Sequence, residues 1–179
     1  ETPAAGLDVE YALHTQRYLQ LDDDEAARLA GMPSVIAKSS DPDEDLYLTP
    51  PTTDPRGRTV LKVGKPQDDH MRASATDLAA WYRTDGDPAF AARLDRTISD
   101  LLPGLRWLDR WTTSCVTTYT PTGHPMIDAL DDRVFCCIGG NGYAAKCAPA
   151  LGELAASALL GSPWPSEVDR DLFRASFLG

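Results

Sequence analysis

The part of the chain that says most about the fold is Val134-Phe135-Cys136-Cys137-Ile138-Gly139-Gly140-Asn141-Gly142-Tyr143-Ala144-Ala145. Its apolar start predicts a short strand over 133–138. The glycines that follow predict a tight turn, because glycine reaches backbone conformations that other residues avoid. The alanine-rich run after the turn predicts a helix over 145–160 that ends at Gly161. The segment therefore predicts a strand, a glycine turn and a helix, in that order.

The turn contains the pattern G-x-G-x-x-A over 140–145, which in this context matches a dinucleotide-binding fingerprint. Only 34 residues follow Ala145, and Ser162-Pro163-Trp164-Pro165 blocks the second parallel strand that such a fold needs. The pattern therefore does not predict a self-contained dinucleotide fold. A glycine turn before a helix still lets a ligand approach the backbone and offers amide groups to an anion. It is the best candidate for a ligand site.

Upstream of this segment, strand patterns come first and helix patterns follow. The predicted strands cover 9–21 (as one or two strands), 32–37, 46–48, 59–63 and 107–120, and the predicted helices cover 22–29, 76–83 and 88–102. A turn over 54–57 makes a hairpin of the strands on either side of it. In the last helix four apolar side chains share a face that we expect to be buried, namely Phe90, Leu94, Ile98 and Leu101. This order is typical of an α+β fold with a mostly antiparallel sheet.

The composition is that of one ordinary globular domain, because 42% of the 179 residues are hydrophobic and 25% are charged. The formal net charge of -10 opposes binding to nucleic acid or to an anionic membrane surface, so we expect small molecules or proteins as partners. No apolar run approaches the roughly 20 residues of a membrane span. Four cysteines without C-x-x-C spacing predict free thiols in a reducing, cytoplasmic compartment.

Three segments resemble one family and follow its order along the chain. They are Tyr47-Leu48-Thr49-Pro50 with Val60-Leu61-Lys62-Val63-Gly64, then Tyr119-Thr120-Pro121-Thr122-Gly123-His124-Pro125-Met126-Ile127-Asp128, and finally the segment from Gly139 to Glu153. The chain resembles the C-terminal half of FAD-dependent amine oxidoreductases of the D-amino-acid-oxidase superfamily, in the branch of monomeric sarcosine oxidase and N-methyltryptophan oxidase. The resemblance implies an antiparallel substrate-domain sheet with flanking helices, then the C-terminal strand and helix of a FAD-binding domain whose N-terminal Rossmann half is missing.

The resemblance implies a flavoprotein that oxidises the C–N bond of a small secondary amine or amino acid to an imine, with reduction of FAD and then of O2 to H2O2. A dehydrogenase that uses another electron acceptor is a close variant. Three residues match catalytic positions of the family: Lys146 would bind the substrate carboxylate, Lys62 would activate oxygen above the flavin ring, and Tyr47 would line the substrate cavity. The cofactor contacts would come from Gly139, Gly140, Asn141, Gly142, Tyr143, Lys146 and Thr117.

Each catalytic assignment has a plainer alternative. Lys146 is also compatible with a surface lysine in the first turn of a helix. Lys62 is compatible with a lysine on the solvent face of a strand, because alternate strand residues face opposite sides. Tyr47 is compatible with a half-buried strand tyrosine.

Several positions depart from the family pattern. The family histidine just beyond the lysine strand is Pro66 here, and His70 lies too far along the chain to replace it. The cysteine that carries flavin covalently in the named branch is Thr117 here, and Cys115 lies about 6–7 Å away along a strand. We therefore expect FAD to be bound non-covalently. Cys136 and Cys137 are expected to pack as small apolar residues, and the cysteines lack the spacing of a zinc site, so no metal is predicted.

The resemblance divides the chain into a linker over 1–8, a substrate-binding catalytic domain over 9–112 and a FAD-contacting segment over 113–179. The sequence begins with Glu1 rather than methionine, so we expect it to derive from a longer polypeptide. The expected partners are an amine substrate, O2 and the missing N-terminal FAD-binding half. Without that half the chain is expected to hold FAD weakly or not at all and to be inactive. The alternative function is a non-catalytic fragment or protein-interaction domain that does not bind flavin by itself.

Overall fold

The computed structural model describes residues 3–41, 45–65 and 71–179. The strands in these residues are β1 (Glu10–Gln20), β2 (Val35–Ala37), β3 (Leu46–Leu48), β4 (Thr52–Thr53), β5 (Thr59–Gly64), β6 (Asp109–Tyr119), β7 (Met126–Ala129) and β8 (Phe135–Ile138). The helices are α1 (Asp23–Leu29), α2 (Ala75–Trp81), α3 (Pro88–Leu101), α4 (Ala144–Leu160) and a short 3-10 helix (Arg170–Phe173). Among the described residues, no helix is both long and apolar enough to cross a membrane.

The larger sheet has the strand order β2-β3-β5-β1-β6, and β4 also pairs with β5. Antiparallel pairing joins β2 to β3, β3 to β5, β1 to β5 and β4 to β5. Strands β7 and β8 form a separate antiparallel pair. The predicted α+β class with a mostly antiparallel sheet is therefore confirmed, as is the hairpin that ends in β5.

The chain forms two compact units. Unit 1 consists of Glu1–Ala12, Asp69–Ala73 and Thr117–Gly179, and unit 2 consists of Leu13–Asp68 and Ser74–Val116. The boundary between the units falls within β1 and within β6, so each of these strands has residues in both. The sequence-based division at residues 8 and 112 stays a prediction.

The core of unit 2 lies between one face of the larger sheet and helix α3. Strand and helix both contribute fully or nearly fully buried side chains to it, among them Leu19, Leu61, Val63, Phe90, Leu94 and Ile98. Each fully buried aliphatic or phenylalanine side chain contributes roughly 1.5–3 kcal/mol relative to an exposed one. This apolar layer therefore fixes which face of the sheet is turned toward the helices.

Helix α3 confirms the predicted amphipathic helix, with one correction at its end. Leu101 was predicted on the buried face but is 39% exposed. The helix ends at Leu101, and the non-helical backbone of Leu102 places that side chain against the core instead. The prediction was wrong because it extended helical spacing through the last turn of the helix.

Unit 1 contains a strand that the sequence did not predict. Strand β7 buries Ile127 with Leu154 and Phe173, whereas the adjacent Met126 packs with Leu7. Because successive strand residues point to opposite faces, both faces of β7 are covered. A strand that is buried on both faces lacks the apolar-polar alternation that marks a strand in a sequence.

Strand β8 and helix α4 confirm the predicted strand, turn and helix, with two corrections. Cys136 is buried, and burial raises the pKa of its thiol, but Cys137 is exposed because it points to the opposite face of the strand. Helix α4 is kinked at Cys147, whose φ of -117° and ψ of 16° are not helical. The kink arises because Pro149 has no amide hydrogen to donate to the carbonyl of Ala145.

A buried carboxylate ties α1 to the chain that follows α3. The Glu25 side chain is 1% exposed, accepts hydrogen bonds from the Arg28 guanidinium, and lies 3.5 Å from the Arg106 guanidinium. The amide of Arg106 donates to Glu25 Oε1 at 3.3 Å. These donors, with the Arg28 side chain as the largest cause, hold the pKa of Glu25 below its ordinary value. The ionised form of Glu25 is therefore favoured in the folded state.

We predict that Glu25→Gln lowers the free energy of unfolding by about 1 kcal/mol near pH 7, since both guanidinium partners are partly exposed and screened. Because the folded pKa is depressed, the contribution of Glu25 is present above the unfolded carboxyl pKa and is lost as the pH falls through the folded pKa. Urea unfolding of both proteins across this range measures the difference. Asp24→Asn, on the exposed side of the same turn, is the matched control. A deficit that stays constant as the pH falls would contradict the prediction.

Candidate functional site

The turn between β8 and α4 needs glycine for steric reasons. Gly139 and Gly142 have φ of 79° and 72°, in the left-handed region that glycine tolerates best. A side chain at Gly139 would collide with the Thr120 side chain, and a Cβ at Gly140 would lie 3.0 Å from Ala144 Cβ. The glycines thus allow the strand, the turn and the start of α4 to pack closely.

Asn141 holds this turn in place from inside. It is 5% exposed and has a φ of 49°. Its Oδ1 accepts from the amide of Thr120 at 2.9 Å, while its Nδ2 donates to the carbonyl of Gly139 and to Thr120 Oγ1. Its backbone amide donates to the carbonyl of Thr118 at 2.9 Å. Asn141 was predicted to contact the cofactor, but its side-chain amide and its backbone amide hydrogen-bond to other groups of the protein.

Lys146 lies in the first turn of α4 and is exposed. Its Nζ is 5.3 Å from the centroid of the Tyr143 ring, which is itself 66% exposed. Tyr143 is the N-terminal cap residue of α4 and makes no side-chain capping hydrogen bond. Within the described residues, Lys146 forms no ion pair, so its charge is available to an anion.

Thr117 lies beside the same turn. A Cβ built on Gly142 would stand 3.9 Å from Thr117 Cγ2 and 3.9 Å from the hydroxyl of Tyr119. An adjoining cavity of about 570 Å³ is lined by Tyr119, Asn141 and Tyr143, and by Arg72, whose guanidinium lies 2.7 Å from the Asp8 carboxylate. The structure therefore brings Thr117 together with the predicted residues of the glycine turn.

These residues of unit 1 fit the edge of a cofactor. Gly142 is exposed, and its backbone is accessible because it has no side chain. Any other residue at this position would place a side chain in front of Thr117 and Tyr119. Lys146 adds a positive charge a turn further along, which is not paired with any carboxylate among the described residues. A glycine cradle followed by a cation suits an anionic or electron-rich ring edge.

In unit 2, the face of the larger sheet opposite the apolar core is polar and aromatic. Tyr47 of β3 pairs with Gly64 of β5. On the other side Val63 pairs with Arg17 of β1, and this register, continued by one residue, puts Gln16 opposite Gly64. The Tyr47 ring lies across Gly64, since a Cβ there would be 2.7 Å from the ring Cε1 atom. Burial raises the pKa of Tyr47, while a hydrogen-bonding interaction with Gln16 lowers it.

Lys62 lies on this same face, two residues before Gly64 on β5. It is half-buried and pairs across the strands with Tyr18. The Tyr18 hydroxyl donates to Gln16 Oε1 at 3.1 Å, and its ring stacks on Trp111 with centroids 5.6 Å apart. Lys62 and Tyr47 are therefore neighbours on one face, together with side chains that the sequence had not singled out.

The structure thus gathers the predicted site residues into two groups, one in each unit. Gln16, Tyr18 and Gly64 were missed, although a glycine inside a strand pattern is a signal of close approach that could have identified Gly64. Cys115 is half-buried, and its carbonyl accepts from the Trp81 indole at 3.0 Å. Pro66 and His70 lie outside the described residues.

Comparison with known proteins gives a family match and structural matches. Residues 10–158 match the model of the family described as DAO, FAD dependent oxidoreductase. The fold is similar to that of fructosamine oxidase (Amadoriase II) from Aspergillus fumigatus, with a TM-score of 0.66 at 17% identity over 93% of this chain and 40% of that one. It is also similar to a modified fructosyl peptide oxidase from Aspergillus nidulans, with a TM-score of 0.65 at 17% identity over 94% and 41% of the two chains.

A third similar structure is fructosyl amine:oxygen oxidoreductase (Amadoriase I) from Aspergillus fumigatus, with a TM-score of 0.64 at 18% identity over 94% of this chain and 38% of that one. A sequence search of curated proteins gives no match. The chain spans about two fifths of the length of these solved structures. Because the family model covers most of its length, the chain belongs to the DAO family of FAD-dependent oxidoreductases.

Proposed function

We propose that this chain is the C-terminal part of an amine oxidase. The enzyme would take a hydride from the carbon next to the nitrogen of a small secondary amine or amino acid, giving an imine, and would pass the two electrons to O2 to give H2O2. The FAD of the family, when bound, supplies the hydride acceptor. Within the family, we propose the monomeric sarcosine oxidase branch on the strength of the sequence resemblance.

The observation that carries this proposal is which lysines pair with a carboxylate and which do not. The sequence has four lysines, namely Lys38, Lys62, Lys65 and Lys146. Lys38 Nζ lies 2.5 Å from the Asp45 carboxylate, and the charge of Lys65 also helps to lower the pKa of Asp45. Within the described residues, Lys62 and Lys146 have no carboxylate partner. The two lysines that match functional positions of the family are thus those left for an external anion.

The proposed roles follow from the environment of each side chain. Lys146, exposed beside the glycine turn, would bind the substrate carboxylate by a charge-assisted hydrogen bond. Lys62, fixed on a strand that is paired on both sides, would stabilise the negative charge that develops as oxygen is reduced. Tyr47, held across Gly64, would shape the substrate cavity. FAD would be held without a covalent bond by residues around Gly142, including Thr117.

The substrate class rests on two kinds of support. The family resemblance favours a secondary amine or amino acid, and two of the solved structures of similar fold are a fructosamine oxidase and a fructosyl peptide oxidase. A dehydrogenase with another electron acceptor would use the same residues except Lys62. A cytoplasmic location is proposed from the four cysteines, all of which are free thiols.

A second function, association through an exposed apolar surface, is favoured by unit 1. Large apolar side chains are exposed on α4 and β8, with Leu160 76%, Leu159 58%, Ile138 36% and Phe135 36% exposed. Exposed apolar side chains in such numbers favour an interaction surface. We propose the N-terminal FAD-binding half of the family fold as the partner, since this chain spans only 40% of the Amadoriase II chain.

We predict that Lys62→Met and Lys146→Met affect different half-reactions of the flavin-loaded enzyme. Lys62→Met should slow reoxidation of the reduced enzyme by O2 and leave anaerobic reduction by substrate nearly unchanged. Lys146→Met should weaken substrate binding by about 1.5–3 kcal/mol, the worth of a hydrogen bond to a charged group, with little change in the oxygen step. Stopped-flow absorbance measures the two half-reactions, and Lys38→Met is the matched control. If both variants alter the same step equally, one of the two assignments fails.

We predict that acid releases the flavin from the intact enzyme. Thr117 stands where the named branch has its flavin-linked cysteine, and a threonine hydroxyl lacks the nucleophilic thiolate that forms that bond. After precipitation with trichloroacetic acid, flavin fluorescence should be in the supernatant. Flavin fluorescence that stays with the denatured polypeptide on a gel would overturn non-covalent binding and direct attention to Cys115.

We predict that the chain of 179 residues by itself purifies without stoichiometric flavin, whereas co-expression with an N-terminal FAD-binding half from the family gives a yellow complex. The reason is that most contacts to a dinucleotide in this class of fold come from the βαβ unit at the start of the FAD-binding domain. Visible absorbance and size-exclusion chromatography measure both outcomes. Stoichiometric FAD on the chain alone would contradict the proposed division of labour.

A further inference from the structure

The row of residues formed by Tyr47, Gly64 and Gln16 explains how one tyrosine hydroxyl is positioned. The three residues lie side by side across β3, β5 and β1, as the register of the two strand pairs requires. A tyrosine on β3 ordinarily stands over its own strand, because the side chain of the central strand blocks its path. Here the central residue has no side chain, so the ring crosses β5 toward Gln16.

The hydrogen-bonding direction in this row follows from the groups present. Gln16 Oε1 accepts from the Tyr18 hydroxyl at 3.1 Å, which leaves the two amide hydrogens of Gln16 as its donors. An interaction with Gln16 lowers the pKa of Tyr47, which is the effect expected of an amide that donates to the phenol oxygen. A phenol oxygen that accepts from Gln16 keeps its own hydrogen for another acceptor.

We propose that Gln16 and Gly64 are positioning residues that turn Tyr47 into a hydrogen-bond donor for an oxygen atom of the substrate. This inference rests on the proposed amine oxidation at the same face. The amine nitrogen needs its lone pair for hydride loss, so a donor is useful toward an oxygen next to the amine rather than toward the nitrogen itself. The substrate class it selects is an amine with a carboxylate, carbonyl or hydroxyl oxygen beside the reacting carbon.

The positioning is tested on the chain itself, without flavin, by NMR of tyrosine labelled at Cζ. Gln16→Leu should shift the Tyr47 and Tyr18 resonances and should raise the pKa at which Tyr47 titrates, because a donor to its oxygen is lost. Tyr47→Phe assigns the resonance. The titratable groups that act on Tyr47 in addition are Cys115 and Tyr18, both of which raise its pKa and both of which are retained in the variant.

Two matched controls separate positioning from general damage. Gln20→Leu makes the same change on the same strand, two residue pairs beyond the pair of Tyr18 with Lys62, and should leave the Tyr47 resonance unmoved. Gly64→Ala should displace the ring and shift the resonance, whereas Gly31→Ala, where a Cβ has open space, should not. A Tyr47 resonance that is the same in Gln16→Leu and in wild type would overturn the positioning role.

The substrate selection is tested on the flavin-loaded enzyme with N-methylglycine and with dimethylamine, which lacks the carboxylate. Gln16→Leu and Tyr47→Phe should each lower kcat/KM for N-methylglycine by about tenfold more than kcat/KM for dimethylamine, since one hydrogen bond to the carboxylate is lost. Equal losses on both substrates would overturn the donor role. If neither amine is oxidised although the NMR shifts are found, the proposed function fails while the positioning stands.

Discussion

The strict alternation of side chains along β5 decides where the candidate chemistry of unit 2 can lie. Leu61 and Val63 are fully buried against the helices, so Lys62 and Gly64 must face the other way. A slip of one residue would exchange the two sets and bury the lysine, at a cost of several kcal/mol for an unpaired charge. Because β5 is paired with β3 and β1, its backbone hydrogen bonds are satisfied on both sides. The packing of Leu61 and Val63 on one face of β5 thus determines that the Lys62 side chain lies on the other face.

Much of this arrangement is accessible from the sequence, and the limits have physical causes. The strand that contains Lys62, the amphipathic face of α3 and the glycine turn before α4 depend on local patterns, and these were predicted. The row of Tyr47, Gly64 and Gln16 depends on the register of three strands that are far apart in sequence. Local patterns do not specify that register, so Gln16 could not be found in advance.

The other wrong or missing predictions, which concern β7, Cys137 and the kink in α4, have causes within the segments themselves. Strand β7 escaped prediction because Met126 and Ile127 are both buried and give no alternation. Cys137 was predicted as packed because apolar character does not reveal which strand face is covered. The kink in α4 was overlooked because high alanine content outweighed Pro149 in the prediction, although the missing amide hydrogen of proline decides the local geometry.

Arginines and lysines divide their tasks in this acidic protein. Arg17 and Arg110 share the Asp95 carboxylate at 2.6 and 2.8 Å, and the Arg58 guanidinium lies 3.8 Å above the Trp111 ring. The planar guanidinium suits such forked and stacked contacts, whereas the compact ammonium of lysine is a mobile point charge. In unit 2 these forked and stacked contacts are made by arginine, whereas Lys38 makes a simple ion pair with Asp45.

The kink at Cys147 has an electrostatic consequence for Lys146. A cation near the start of a long straight helix is repelled by the summed dipoles of all the turns behind it. In α4 the first turn is set at an angle to the rest of the helix, and the proline removes one backbone hydrogen bond from the chain of aligned peptides. Because this repulsion comes mainly from unpaired amide hydrogens near a helix start, Pro149, which has no amide hydrogen, adds none beside Lys146. A proline at this position therefore makes the start of α4 more tolerant of a lysine.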